Sequence, residues 1–167
     1  MVERGQSLGG SRLELSTVLP GRAILHLKTW TRAPVSLPGP ALGVRDARLL
    51  ALGPDEWLMM SDSIDGPGLH GAVAAPAREH GVAVVDMSHG TAGLRLGGVA
   101  ARDVLSMGCG LDLHAKSFPV GSATRTRFAQ LPVVIECTSS APRYEIYVGA
   151  SYLPYLLAWI VDAAAAV

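Results

Sequence analysis

The chain has 167 residues, of which 49% are hydrophobic and only 17% charged, and its basic and acidic side chains cancel to no net charge. Because these charges are balanced and scattered, the sequence gives no indication of nucleic acid or an anionic membrane as a partner. A charged fraction below the roughly 25% usual in globular domains indicates that another protein covers part of the surface. The two cysteines form no CxxC motif and no disulfide framework, which favours a reducing, cytoplasmic setting.

The apolar stretches of the chain do not predict a membrane span. The longest run covers residues 152–167, is interrupted by Pro154 and Asp162, and is shorter than the about 20 residues that a span needs. The N-terminal stretch is polar and glycine-rich without the apolar segment of a signal peptide. We therefore expect residues 1–11 to be flexible.

The first predicted element is a hairpin. Apolar and polar residues alternate over 13–19 and over 23–30, with Pro20 and Gly21 between the two runs. Residues 32–43 contain three prolines and no periodicity, which predicts a loop or an extended linking arm.

A strand–turn–strand–helix unit is predicted next. Short apolar strands over 48–52 and 57–61 flank a Gly-Pro-Asp-Glu turn. Asp65 is placed to cap a helix over 66–80, and the glycine after the helix should end it. Pro76 should kink or restart this helix, because proline lacks the backbone N–H that the helix needs.

The middle of the chain is predicted as a second hairpin followed by a helix. The continuous apolar run VAVVDM at 82–87 predicts a central strand. Residues 91–96 alternate and should pair with it across a Ser-His-Gly turn. A helix follows over 99–107 and should end at its flanking glycines.

The last part of the chain repeats the strand–turn–strand–helix order. Strands are predicted over 121–130, over 133–137 after a Leu-Pro bulge or turn, and over 143–148. A final helix over 152–165 should be capped by Ser151.

This element order predicts an α+β fold with antiparallel sheets and with helices on one face. We expect residues 12–167 to form a single domain made of two related halves, about 12–81 and 82–167. The repeat lies in the order of the elements rather than in residue identity.

The most conspicuous polar cluster is Asp86, Ser88 and His89. Because alternate residues of a strand share a face, Asp86 and Ser88 should point together and His89 away, which does not suit a catalytic triad. No G-x-S-x-G motif surrounds the serine. We expect the aspartate and the serine to pin the turn to nearby backbone amides, with contact to a partner or ligand as the functional alternative.

Two other patterns are weaker. Cys109, Asp112 and His114 fit no strong zinc spacing, so we expect turn and packing roles rather than a metal site. Gly97 and Gly98 precede a helix but belong to neither a GxGxxG nor a GxxxxGK[ST] motif, so backbone geometry explains them.

Arg125 and Arg127 lie on one face of a predicted strand. They could receive a carboxylate of a ligand or partner, or they could form a solvated strand face. No set of residues in the sequence makes a self-sufficient active site, and we predict no catalytic, cofactor-binding or metal-binding residues in this chain.

Five segments of the chain resemble one known family, the gamma subunit of heterotetrameric sarcosine oxidase. In order they are GPDEWL at 53–58, VVDMSH at 84–89, RLGGVAARDVL at 95–105, GCGLDL at 108–113 and FPVG at 118–121. The Asp-Leu pair followed by Phe-Pro-x-Gly is the more specific part. Order and spacing match from about Arg48 to the C-terminal helix.

The wider resemblance is to the fold of the folate-binding aminomethyltransferases, the glycine-cleavage T-proteins. Members share an Asp-x-Ser-His strand end followed by strand, glycine and helix, and the resemblance implies ferredoxin-like α+β units. A T-protein carries an acidic residue on a later strand that acts on the folate-bound one-carbon unit. The comparable stretch here, residues 130–135, has no acid before Glu136, so that role does not carry over.

The family resemblance implies a non-catalytic gamma subunit that packs against alpha, beta and delta subunits. Such complexes oxidise sarcosine to glycine with oxygen, giving hydrogen peroxide and, with tetrahydrofolate, methylenetetrahydrofolate. FAD, FMN, NAD and tetrahydrofolate are then expected in the partner subunits and not in this chain. Two alternatives stay open from the sequence: a stand-alone tetrahydrofolate-dependent one-carbon transferase and a free-standing homodimeric binding module.

Overall fold

The fold is described by a computed structural model, which covers residues 6–8, 12–18, 21–30, 44 and 46–167. In chain order its elements are β1 (Gln6–Leu8), β2 (Leu13–Thr17), β3 (Ala23–Thr29), β4 (Arg48–Gly53), β5 (Glu56–Ser61), α1 (Gly66–Glu79), β6 (Val82–Asp86), β7 (Thr91–Gly97), α2 (Ala101–Gly108), β8 (Ala123–Phe128), β9 (Leu131–Ser139), β10 (Arg143–Gly149) and α3 (Leu153–Ala164). They form two compact units: unit 1 comprises Met1–Val18 and Gly90–Val167, and unit 2 comprises Leu19–His89.

Unit 1 is a six-stranded antiparallel sheet with helices on one face. The strand order is β1-β2-β7-β10-β9-β8. Alternate residues of the inner strands, such as Leu94 and Leu96 on β7 or Ile146 and Val148 on β10, pack into one core with α2 and α3. This period of two is what a sheet with one helix-covered face requires.

Unit 2 is a four-stranded antiparallel sheet, ordered β4-β5-β3-β6, with α1 packed on it. Leu25 and Leu27 of β3 meet Leu69 and Val73 of α1 in its core. Residues three to four apart lie on the same helix face, which explains why Leu69, Val73 and Ala77 are all buried. The predicted α+β class with antiparallel sheets is therefore confirmed.

The predicted hairpin of residues 13–19 and 23–30 is wrong. Both strands form, but β2 pairs with β7 in unit 1, whereas β3 pairs with β5 and β6 in unit 2. Leu13 and Leu15 pack into the hydrophobic core of unit 1. The chain therefore passes from unit 1 to unit 2 between β2 and β3. The boundaries of the two units therefore differ from the expected boundary between residues 81 and 82.

The strand at 82–87 is not central, as its apolar run predicted. β6 is an edge strand that pairs with β3 alone among the described strands. Val82 is buried, but Ala83 and Val85 are exposed. β7 does not pair with β6 across the Ser-His-Gly turn, because this turn leads from unit 2 into unit 1.

The turn between β8 and β9 comes earlier than predicted. It is formed by Ala129 and Gln130, which both have positive φ angles of 51° and 69°, and not by Leu131 and Pro132. Pro132 lies inside β9, one residue beyond the part that pairs with β10, so its missing N–H breaks no bond on that side.

The helices show two further differences from the sequence-based expectations. α1 continues through Pro76 as one element, with the predicted Asp65 cap confirmed by a hydrogen bond from Gly68 N to Asp65 Oδ1 of 2.9 Å. No side-chain bond caps α3, because residues Ala150–Tyr152 form a 3₁₀ turn that leads into the helix, so the predicted Ser151 cap is wrong.

Two predicted stretches lie partly or wholly outside the described residues. Within the stretch 1–11, Gln6–Leu8 pair with β2, and the other residues up to 11 are outside the described residues, as is the predicted loop over 32–43. None of the helices in the described ranges is long and apolar enough to cross a membrane.

Candidate functional site

The polar cluster at the end of β6 is a hydrogen-bonded corner. Asp86 Oδ1 accepts from the Ser88 amide at 2.9 Å and from the Ser88 hydroxyl at 2.6 Å. The same hydroxyl oxygen accepts from the amide of Ile24 at 2.9 Å. The bond from the Ser88 amide to Asp86 confirms the predicted pinning of the turn, and the bond from Ile24 also joins the chain after β6 to β3.

The N-terminus of α1 packs directly on this corner. A methyl group added at Gly66 would lie 2.5 Å from Asp86 Oδ2 and 2.5 Å from Ser88 Oγ. The carboxylate therefore lies beside the first turn of a helix, where the helix dipole favours negative charge. The hydrogen bonds from the Ser88 side chain, and next from its backbone amide, hold the pKa of Asp86 below its ordinary value of 3.8. The side chain of His89 is exposed.

We expect Gly66→Ala to lower the free energy of unfolding by about 1 kcal/mol, because the new methyl group must separate Asp86 from Ser88. Gly71→Ala in the same helix is the matched control, since nothing lies within 4 Å of that position. It should stabilise the protein by about 0.5–1 kcal/mol, because alanine is the better helix former. Chemical denaturation of both variants measures the contrast, and equal effects would contradict the role of the corner.

We expect the stabilisation by Asp86 to depend on pH. Because the folded-state pKa is lowered, the contribution is present above the ordinary value of 3.8 and is lost as the pH falls through the folded-state pKa. Asp86→Asn should therefore be less stable than the parent protein at neutral pH, and the difference should close in acid. Urea denaturation across this pH range measures it. In a Ser88→Ala background the difference should shrink, and an undiminished difference there would contradict the assigned cause.

The two predicted arginines lie on an edge strand of unit 1. Arg125 and Arg127 are both exposed on β8, and Arg127 Nη2 donates to the Gln130 carbonyl oxygen at 2.9 Å. They belong to unit 1, whereas the Asp86 corner belongs to unit 2. The proposed contact of Asp86, Ser88, His89 and these arginines with a partner or ligand stays a prediction.

The loop after α2 is organised by its own side chains. Asp112 Oδ1 accepts from the His114 amide at 2.9 Å, and the pKa of Asp112 is lowered by hydrogen bonds from Ser117 and then from that amide. Cys109 is buried, with its sulfur 3.7 Å from Thr126 Oγ1. Within the described ranges, no three His, Cys, Asp or Glu residues are grouped in a way that could hold a metal ion.

Sequence reasoning missed a row of charged residues across the sheet of unit 1. Glu145 on β10 lies opposite Arg95 on β7 and opposite Glu136 on β9. Arg95 Nη2 donates to Glu145 Oε1 at 2.6 Å, and the Tyr147 hydroxyl donates to Glu145 Oε2 at 2.5 Å. Both glutamates are buried. A buried charge tolerates little displacement of its partners, so the ion pair of Arg95 and Glu145 favours the observed register of β7 and β10.

The signal that could have revealed this row is a single glutamate inside each of two apolar strands, VVIEC and YEIYV. A charge in such a context requires a partner on a neighbouring strand. The sequence does not tell which strands are neighbours, so the pairing could not be derived.

Sequence reasoning also missed an exposed apolar surface on unit 1. The outer side of α3 exposes Tyr155 and Val161, and Tyr152 is exposed just before the helix. An open groove of about 390 Å³ lies beside it, lined by residues of α2, of the turn after β8, and by Trp159 of α3. The ring of Trp159 makes an edge contact with Phe128 at 4.9 Å between centroids. Exposed aromatic and aliphatic side chains next to a groove are typical of a protein-binding surface.

Comparison with known proteins places the chain in a family. The model of the sarcosine oxidase, gamma subunit family matches residues 22–166. The chain belongs to this family. The sarcosine oxidase gamma subunits of Corynebacterium sp. (strain U-96) and Arthrobacter sp. are each 31% identical to it over 143 residues, which are 86% of this chain and 68% and 69% of those proteins.

Solved structures agree with the family assignment. A chain of the heterotetrameric sarcosine oxidase from Corynebacterium sp. U-96, in complex with pyrrole 2-carboxylate, is similar to this chain with a TM-score of 0.79 and 27% identity, covering 95% of this chain and 87% of that one. The glycine cleavage system aminomethyltransferase T from Bartonella henselae is similar with a TM-score of 0.58 and 14% identity, over 88% of this chain and 45% of that one. The second likeness shows the fold alone. Both resemblances that the sequence motifs indicated are therefore confirmed.

Proposed function

We propose that this chain acts as a non-catalytic gamma subunit in a sarcosine oxidase complex, together with alpha, beta and delta subunits. The observation that carries the proposal is the likeness in both sequence and fold to gamma subunits over most of the chain. The low charged fraction and the exposed apolar side of α3 support it, because a subunit needs a surface that other chains cover.

In the proposed complex, sarcosine is oxidised to glycine with oxygen as the electron acceptor. The products are hydrogen peroxide and, with tetrahydrofolate, methylenetetrahydrofolate. FAD, FMN, NAD and tetrahydrofolate belong to the partner subunits in this proposal. The commitment of the Ser88 hydroxyl to Asp86 and Ile24 supports a structural role for the most conspicuous polar cluster of this chain.

A cytoplasmic, reducing location is part of the same proposal. Cys109 and Cys137 are both free and buried. Burial raises the pKa of the Cys137 thiol, which keeps it in its unreactive protonated form.

Co-expression with the proposed alpha, beta and delta subunits of the same organism tests the proposal. We expect this chain to co-elute with them in size-exclusion chromatography, and we expect sarcosine-dependent hydrogen peroxide formation only by the assembled complex. The isolated chain is the control and should show no turnover. Turnover of sarcosine by the isolated chain, or micromolar binding of tetrahydrofolate to it in calorimetry, would contradict the proposal and favour the one-carbon transferase.

A further inference from the structure

The helix α3 is apolar on both sides. Its inner side, with Leu156, Ile160 and Ala164, is buried in the core of unit 1. Its outer side is exposed and consists of Pro154, Tyr155, Ala158, Val161 and Asp162. Asp162 is the only charged residue of the helix. A surface helix normally carries charged and polar residues on its outer side, and a helix that is apolar all round is normally covered on both sides.

The groove beside α3 is continuous with this outer side. Trp159, one helical turn after Tyr155, lines the groove together with Met107, whose side chain is 49% exposed. The opposite rim is the turn of Ala129 and Gln130, held by a bond of 3.1 Å from the Ala129 amide to the Gly108 carbonyl oxygen. Trp159 therefore forms an aromatic wall of a groove whose lining is otherwise mostly polar.

The rim is the two-residue hairpin turn between β8 and β9. Ala129 and Gln130 adopt consecutive left-handed conformations with φ angles of 51° and 69°, and the flanking residues Phe128 and Leu131 pair with each other. Positive φ at both central residues is the favoured geometry of such a turn, so the hairpin itself accounts for the shape of the rim.

We infer, on the basis of the proposed function, that the outer side of α3 and the adjoining groove form the surface on which a larger subunit of the complex docks. We call this surface the α3 face; it consists of Tyr155, Val161 and Asp162, with Met107 and Trp159 at the groove. Apolar side chains of the partner cover Tyr155 and Val161, a polar side chain of the partner enters the groove, and a basic side chain of the partner faces Asp162. Anchoring residues of this kind dominate the free energy of protein interfaces.

The negative charge of the α3 face favours a partner protein of different sequence over a second copy of this chain or an anionic membrane surface. α3 contains no Lys or Arg, so a second copy of this helix would bring no cation to Asp162. Burying a carboxylate without a cation is costly, whereas a different partner can supply one. An anionic membrane surface is disfavoured for the same reason, since surface-binding helices carry Lys and Arg around their apolar side.

The test compares two valine-to-glutamate variants in the co-expressed complex. Val161 is 43% exposed on the α3 face, and Val120 is 54% exposed in the loop between α2 and β8. Because both side chains are exposed, neither variant should impair folding, which thermal unfolding verifies. We expect Val161→Glu to raise the dissociation constant for the larger subunits by at least about 30-fold. Val120→Glu should leave the dissociation constant unchanged.

A second measurement does not depend on any substitution. Hydroxyl-radical footprinting of the complex should show loss of oxidation at Tyr155 and Met107 relative to the isolated chain. Equal affinity of the Val161→Glu variant and the parent protein, with unchanged footprints, would overturn the docking site and leave the subunit function intact. A homodimer of the isolated chain that Val161→Glu dissociates would assign the α3 face to a second copy and also overturn it. Failure of the parent protein to bind the larger subunits would overturn the proposed function itself.

Discussion

Phe128→Ala should lower the free energy of unfolding by about 3–5 kcal/mol, the cost of replacing a fully buried phenylalanine by alanine. Phe128 is completely buried at the end of β8 and packs between α2 and α3 in the core of unit 1. Its ring also makes the edge contact with Trp159 at an interplanar angle of 77°. Loss of the ring leaves a cavity beneath the groove and removes the support of Trp159. Denaturation followed by tryptophan fluorescence and by circular dichroism measures the effect.

Two further variants separate the contributions to this effect. Phe128→Leu retains much of the buried volume but loses the edge contact of the rings, so we expect a smaller cost of about 1–2 kcal/mol. Trp30→Ala is the control for a large aromatic deletion, because Trp30 is 61% exposed and its removal should change stability by at most about 0.5 kcal/mol. A Phe128→Ala variant as stable as Trp30→Ala would show that the core of unit 1 does not depend on this ring.

We expect Gly98→Ala to destabilise the protein by about 2–5 kcal/mol, through a left-handed backbone and overpacking against β2. Gly98 follows β7 with a φ of 99°, where an added methyl group would collide with the Arg12 carbonyl oxygen and lie 3.0 Å from its carbon. The same carbonyl oxygen accepts from the Ala100 amide at 3.1 Å at the start of α2. Relief of the collision must move β2 or α2, and both carry core residues.

Gly121→Ala is the matched control for this variant. Gly121 has a similar φ of 87°, but nothing lies within 4 Å of an added methyl group. It therefore carries the backbone strain without the collision, and we expect a cost of only about 1 kcal/mol. Urea denaturation of the two variants separates the cost of the left-handed backbone from the cost of the collision. If both variants lost the same stability, the contact with Arg12 would not be the cause.

Elements that depend on neighbouring residues were predicted well from the sequence. The strands β4 and β5 with their Gly-Pro-Asp-Glu turn, and the helix α1 with its Asp65 cap and closing Gly81, formed within one or two residues of their expected bounds. Caps and turns are satisfied by side chains and backbone groups a few residues apart, so their chemistry is visible in a short window of sequence.

Strand partners could not be predicted in the same way. β2 and β3 are separated by five residues and belong to different sheets, and β6 is apolar yet lies at an edge. An apolar run shows that a segment can be buried but not which strand or helix covers it. The turn of Ala129 and Gln130 was missed for a related reason, because neither residue favours a left-handed backbone and the pairing of β8 with β9 imposes one.

The same distinction between short-range and long-range contacts applies to the candidate site. The pinning of the turn by Asp86 and Ser88 was predictable, because both residues lie within three positions of one another. The ion pair of Arg95 and Glu145 joins two strands, and the α3 face joins a helix to a turn about thirty residues earlier in the chain. Such contacts exist only after folding.

The sequence by itself determined the family, the α+β class, the Asp65 cap and the Gly-Pro-Asp-Glu turn, because these are carried by motifs and short-range patterns. The tertiary structure alone decided which strands pair, which glutamates are buried together and which side of α3 is exposed. The physical reason is that burial belongs to the assembled core: α3 is apolar on both sides in sequence, and only packing into the core of unit 1 selects the inner side. The side that the fold leaves exposed is the one we assign to the partner.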